Sequence, residues 1–298
     1  MRSKRISLVL GSGGARGLSH IGVIRCLEEN GFKISYVSGT SIGALIGGIY
    51  AAGELETYAE WVAALSRRDV LRLLDWSFSR GALFSGERVI NVLEELIGEH
   101  KIESLNVGFT AIATDINRKR EVWLNKGSLF EAIRASMAMP LVFAPVEKDG
   151  VILVDGGLVN PVPIAPTLND DTDMTIAVDL NGRVEKLEPD TQAEDRSDES
   201  EQASGLRQKI SAFLDDLTPR KSAADAEAPN AIDLALRSID TMQTTIARMK
   251  LAAYSADLMI EMPVNLATFL EFHRGKELID FGYRRARESL GGAGFLSL

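Results

Sequence analysis

The chain has 298 residues, 45% of them hydrophobic, enough to bury one good-sized core, and a formal net charge of −9. That charge argues against nucleic acid as a partner and gives no electrostatic help toward an anionic membrane, so any lipid contact would have to be apolar. A single cysteine, Cys26, excludes an internal disulfide, and its place in Ile24-Arg25-Cys26-Leu27 suits a buried helix position better than a reactive thiol.

Taken in chain order, residues 1–5 are basic and residues 6–10 apolar, which superficially resembles a signal peptide. The apolar stretch is too short, however, and runs directly into Gly11-Ser12-Gly13-Gly14, so residues 5–10 are predicted to be a first strand. A helix is predicted over 17–30, a strand over 34–38 and a helix over 42–52. The uncharged stretch 36–53 approaches a membrane span in length, but it holds Ser38, Thr40, Ser41 and five glycines, which is not a membrane-span composition. The expectation is a cytoplasmic protein, peripheral at a membrane at most.

Further strands are predicted over 107–113, 121–124, 151–154 and 175–179, with a helix over 87–97. This alternation predicts an α/β fold: a mostly parallel or mixed central sheet with helices on both faces, mixed because 107–113 and 121–124 are close enough to form a hairpin. After residue 179 the composition changes. Residues 185–201 carry eight acidic side chains against two basic ones and almost no large apolar groups, too little to offset ordering entropy. Residues 183–205 and 218–230 are therefore read as a mobile excursion, with an isolated amphipathic helix over 206–217. A long helix over 232–255, a strand over 258–262 and a closing helix over 276–290 follow. The domain reading is a catalytic core over 1–182, an acidic insertion over 183–230, and 231–298 completing the same domain.

Three glycine-rich turns carry the chemistry. Gly39-Thr40-Ser41-Ile42-Gly43 is a G-x-S-x-G pentapeptide between a predicted strand and a predicted helix, the context of a nucleophile elbow, with glycines where side chains would collide with the neighbouring strand or helix. Gly11-Ser12-Gly13-Gly14-Ala15-Arg16-Gly17 also joins a strand to a helix. As a nucleotide loop it fails, because Arg16 stands where the third glycine of G-x-G-x-x-G belongs and no Lys-Ser or Lys-Thr follows. Its backbone N–H groups could instead face an anion formed during reaction, with Arg16 either adding positive charge or anchoring the turn. Asp155-Gly156-Gly157 closes an apolar strand and, alone, would read as a plain turn.

Together and in this order, Gly13 to Gly17, Gly39 to Gly43 and Asp155 to Gly157 resemble the three signature blocks of patatin-like phospholipases, including the catalytic domain of neuropathy target esterase. Ala135-Ser136-Met137-Ala138-Met139-Pro140 resembles the family's fourth block. The likeness covers about residues 5–180, is nearest to the small bacterial members of the RssA type, and does not extend to the acidic insertion. It implies a patatin-like three-layer sandwich and a serine-aspartate dyad. Ser41 would be the nucleophile and Asp155 its base; Gly13, Gly14, Ala15 and Arg16 would supply the oxyanion hole, with Gly11, Gly17, Gly39, Gly43, Gly156 and Gly157 shaping the turns. The implied substrate is a fatty-acyl ester or phospholipid, with no metal and no cofactor. A regulatory protein on the same fold with little turnover is the alternative, and oligomeric state is not read.

The three histidines fit less chemistry. His20 lies in a predicted helix as a packing or hydrogen-bonding residue in preference to a base and His100 in a charged, solvated turn, whereas His273 follows Ser41 and Asp155 in the chain order of an α/β-hydrolase triad.

Overall fold

The computed structural model describes residues 4–75, 82–186 and 231–296. Residues 4–75, 82–185 and 236–296 belong to one compact unit. The amphipathic helix read over 206–217 and most of the acidic excursion lie outside the described residues.

Eight strands form one sheet: β1 (Lys4–Leu10), β2 (Phe32–Thr40), β3 (Gly108–Asp115), β4 (Arg120–Leu124), β5 (Val146–Lys148), β6 (Val151–Asp155), β7 (Met174–Gly182) and β8 (Leu258–Pro263), in the order β5-β6-β3-β2-β1-β7-β8 with β4 paired to β3. β1, β2, β3, β7 and β8 pair in parallel, and β4, β5 and β6 pair antiparallel. The sheet is therefore mixed and mostly parallel, as the alternation and the hairpin spacing predict. The continuous apolar run of β1 is buried from Ile6 to Leu10, as a central parallel strand covered on both faces requires.

The helices are α1 (Ser19–Glu29), α2 (Ile42–Ala51), α3 (Leu55–Ala63), α4 (Arg67–Leu73), α5 (Glu87–Ile97), α6 (Leu129–Ser136), α7 (Ala231–Ala253) and α8 (Gly275–Gly292). Strand alternation shows which face each covers. Gly47 of α2 sits against Val37 and Leu10, whereas Ala247 of α7 packs with Val9 and Ala177, whose side chains point the other way. Helices thus cover both faces of the sheet. α1 and α8 lie in close contact through glycines: a Cβ on Gly22 would stand 2.0 Å from the Ile279 carbonyl oxygen, and one on Gly282 2.0 Å from that of Ser19.

Three helices and a strand, α3, α4, α6 and β5, were not expected from the sequence. They are 9, 7, 8 and 3 residues long, too short for periodicity to stand out. The start of the acidic excursion also needs correction. Glu185 is bound on both sides: its amide and carbonyl exchange hydrogen bonds with the Asn265 side chain, and its carboxylate pairs with both Arg285 nitrogens. A local composition window cannot see a partner 100 residues away.

Candidate active site

The strand register brings Ser41 and Asp155 together. β4 pairs with β3 at residues 111–115, which β2 shares at Ala111 and Ile112 and β6 at Ala113 to Asp115. A residue has one hydrogen-bonding neighbour on each side, so β4 holds one edge of β3 while β2 and β6 meet end to end along the other. Thr40 lies opposite Ile112 and Asp155 opposite Ala113. The residue after Thr40 is Ser41. The ends of two strands separated by more than 100 residues therefore converge on one short stretch of β3.

Ser41 adopts φ 57° and ψ −121°, in the left-handed half of backbone space that a non-glycine residue occupies only under constraint. The constraint is visible. Gly43 runs against β1, where a Cβ would stand 2.1 Å from the Leu10 carbonyl oxygen, and Gly39 runs against Gly43, where one would stand 2.4 Å from its oxygen. The Ser41 amide donates to Ser136 Oγ at 2.8 Å, and that hydroxyl donates to the Ile112 carbonyl at 2.6 Å. Thr40 Oγ1 donates to the Asn160 carbonyl at 2.9 Å, fastening the elbow to the segment that follows Asp155.

Asp155 is fully buried. Its Oδ1 accepts from the Gly157 amide at 2.7 Å, while Oδ2 is buried with no hydrogen-bond partner among the described residues. Burial pushes the carboxyl up to about 6; the Ser41 hydroxyl and the Gly157 amide oppose that shift without cancelling it. The Ser41 hydroxyl therefore lies close enough to the carboxyl to act on its titration.

In the glycine loop, Gly14 has φ +57°, and a Cβ there would stand 2.6 Å from the Phe269 ring. The loop's amides fall into two groups. Gly11, Ser12 and Ala15 donate to the carbonyls of Val178, Pro161 and Phe269, whereas those of Gly13 and Gly14 have no acceptor among the described residues. Ala15, expected as an oxyanion donor, therefore has its N–H engaged. Arg16 is an anchor: its buried guanidinium donates to the Val264 carbonyl, Asn181 Oδ1 and Asp240 Oδ1.

Compared with known proteins, residues 8–168 match the patatin-like phospholipase family. The chain belongs to that family. This patatin-like protein is 38% identical to an uncharacterised NTE family protein of Mycobacterium tuberculosis, over 97% of this chain and 92% of that one. It is 32% identical to lysophospholipase NTE1 of Yarrowia lipolytica over 63% of this chain and 14% of the relative. VipD from Legionella pneumophila shares the fold, with a TM-score of 0.56 at 15% identity over 98% of this chain and 67% of that one.

Beside Ser41 the patatin-like core opens into a narrow apolar slot. Ile42 and Leu45 of α2, Tyr58, Trp61 and Val62 of α3, Val70 and Leu73 of α4, and Val89 and Leu93 of α5 line it, together with Met137, Phe143, Phe269, Leu270 and Phe272. Apart from Ile42 of the pentapeptide and Met137 of the fourth block, none of these wall residues was singled out in the sequence. The apolar run Phe269-Leu270-Glu271-Phe272 was the one available signal.

No histidine occupies the gap at Asp155. His20 is fully buried, with Nε2 donating to the Gly11 carbonyl at 2.9 Å, and burial lowers its pKa to about 4, which keeps the ring neutral. His100 is half-buried and donates to the Ile97 carbonyl. His273 sits in the 3-10 turn Phe272–Arg274, next to slot-lining Phe272, and makes no hydrogen bond to Asp155. Behind the carboxylate, Gln243 of α7 is a residue the sequence reading missed. Its buried Nε2 and Ser12 Oγ both crowd Gly157, and both lack partners. Among the described residues no group of three His, Cys, Asp or Glu is placed to hold a metal, and no helix is long and apolar enough to cross a membrane.

Proposed function

We propose that the protein is a serine acyl hydrolase acting on carboxylic esters of fatty-acyl lipids, of phospholipase or lysophospholipase type, through a Ser41–Asp155 dyad. The observation that carries this reading is a serine on a constrained turn, facing a fully buried carboxylate with one unpartnered oxygen, at the wall of an apolar slot. Family membership and the lysophospholipase name of one relative support the substrate class.

In this mechanism Ser41 Oγ attacks the ester carbonyl carbon while Asp155 Oδ2 takes the hydroxyl proton. The carbonyl oxygen gains the negative charge and is held by the amides of Gly13 and Gly14, the two loop donors without acceptors among the described residues. Collapse breaks the ester C–O bond, and Asp155 returns its proton to the departing alkoxide. Water then repeats the sequence on the acyl-enzyme: Asp155 takes its proton, the acid leaves and Ser41 is restored. A carboxylate is a weak base, and burial raises this one toward working pH.

Fluorophosphonate labelling and a series of p-nitrophenyl esters of increasing chain length test the assignment. Wild type is expected to label and to favour longer acyl chains that fill the slot; Ser41→Ala is expected to lose both labelling and turnover with its circular dichroism unchanged. Residual turnover in Ser41→Ala more than about 10⁴-fold above the uncatalysed rate would remove Ser41 as nucleophile, since binding and an oxyanion hole alone supply roughly that much.

A further inference from the structure

We propose that α4 is the element by which the protein docks on an anionic lipid surface, bringing acyl chains of that surface to the slot; this deepens the acyl hydrolase reading and rests on it. The two sides of this helix differ. Val70 and Leu73 face inward and line the slot, whereas Leu71 is 61% exposed, and Arg67, Arg68 and Arg72 surround it with positive charge. Among the described residues Arg67 and Arg68 have no carboxylate partner. Arg72 reaches only Asp69, at 3.4 Å, from a side chain that is 79% exposed, an arrangement that holds little energy in water.

The helix is well formed despite its length, because Ser66 and Asp69 close a reciprocal capping box at its start. It also lies at the rim of the slot. The turn Phe272–Arg274 packs on it, and Leu270, two residues before that turn, both lines the slot and is 38% exposed. An exposed aliphatic side chain ringed by arginines, on the outer side of a slot wall, matches a bilayer interface: apolar below, anionic phosphates above.

This departs from the expectation, drawn from the net charge of −9, that any lipid contact would be purely apolar. Charges more than a screening length apart, about 8 Å at physiological ionic strength, hardly act on the same patch of membrane, so local composition decides. Over its seven residues α4 carries three arginines and one aspartate. A second basic and apolar cluster, at the β3–β4 turn, is the rival face. There Ile116 and Trp123 are exposed beside Arg118, Lys119 and Arg120, but both arginines face Asp115 and none of these residues lines the slot.

The test uses the full chain carrying Ser41→Ala, so that vesicles are not consumed, in sedimentation with phosphatidylcholine vesicles with or without phosphatidylglycerol. Binding to the anionic vesicles is expected to be at least about tenfold tighter than to neutral ones, with high salt removing the difference. Arg67→Gln with Arg68→Gln is expected to weaken anionic binding by about tenfold or more, Leu71→Ala to weaken binding to both vesicles, and Lys119→Gln to change little. The same substitutions with Ser41 intact should leave turnover of a short soluble ester unchanged, which also reports folding. If the double glutamine variant does not fold, Arg67→Lys with Arg68→Lys should keep salt-sensitive binding. Equal affinity for the two vesicles, absence of binding, or a loss from Lys119→Gln matching that of the arginines would overturn the proposal. Failed binding with intact ester turnover would leave the hydrolase reading standing, whereas failed labelling would leave the vesicle result interpretable alone.

Discussion

Two glycine-rich turns, residues 11–17 and 39–43, each join a parallel strand to a helix, yet they present opposite things to the slot. The elbow presents a side chain: Ser41 projects from a strained backbone whose own amide is tied to Ser136. The glycine loop presents backbone: the amides of Gly13 and Gly14 have no acceptor among the described residues, and its one large side chain, Arg16, is buried away in contacts with Val264, Asn181 and Asp240. On the proposed dyad mechanism, the same strand-turn-helix unit would serve once as a nucleophile and once as an anion cradle, depending on which groups the surroundings leave unpartnered.

The sharpest way to break the comparison is at the carboxylate serving the elbow. Asp155→Asn is expected to lower kcat/KM by several orders of magnitude, because an amide cannot accept the serine proton. In wild type kcat/KM should rise with pH through about 6 and then level, since the base works ionised. Stability should move the other way. The folded pKa of Asp155 is raised above its ordinary value of 3.8, so its contribution is fully present below that value and lost as pH rises through about 6. Above pH 6 the Asn variant is expected to be more stable than wild type by about 1–3 kcal/mol, a gain that fades toward pH 4. Thermal midpoints across that range check it, and a less stable variant at pH 8 would contradict the buried-charge account.

Gly14→Ala addresses the other turn. Its Cβ would meet the Phe269 ring at 2.6 Å and the Phe269 carbonyl at 2.8 Å on a φ of +57°, distorting the cradle. The expectation is a fall in kcat of about 10² to 10³ with KM much less affected, as when one oxyanion donor is lost. Equal falls in kcat for a variant with unchanged KM and an unchanged oxyanion-mimic affinity would place the damage elsewhere. The smallest effect is expected at His273. With no histidine at the free Asp155 oxygen, His273→Ala should keep kcat/KM within about tenfold, the residual cost reflecting its place beside Phe272. A loss as deep as that of Asp155→Asn would replace the dyad with a triad.

Much of this was legible in the amino-acid order. The strands, the elbow and the loop could be placed because glycine spacing, apolar runs and strand-turn-helix context are local properties, set within about ten residues by steric limits and solvation. Tertiary structure alone decided the rest. It showed that Ser41 and Asp155 meet because β2 and β6 share one edge of β3, that Ala15 is not a free donor because Phe269 lies over it, and that Glu185 is held by Arg285. It also built the slot, from the two expected helices α2 and α5, from α3 and α4, too short to announce themselves, and from a turn near the far end of the chain. The physical reason is the same in each case: which hydrogen-bonding groups stay unpartnered, and which apolar faces enclose a space, depends on neighbours distant in sequence, and no local pattern encodes them.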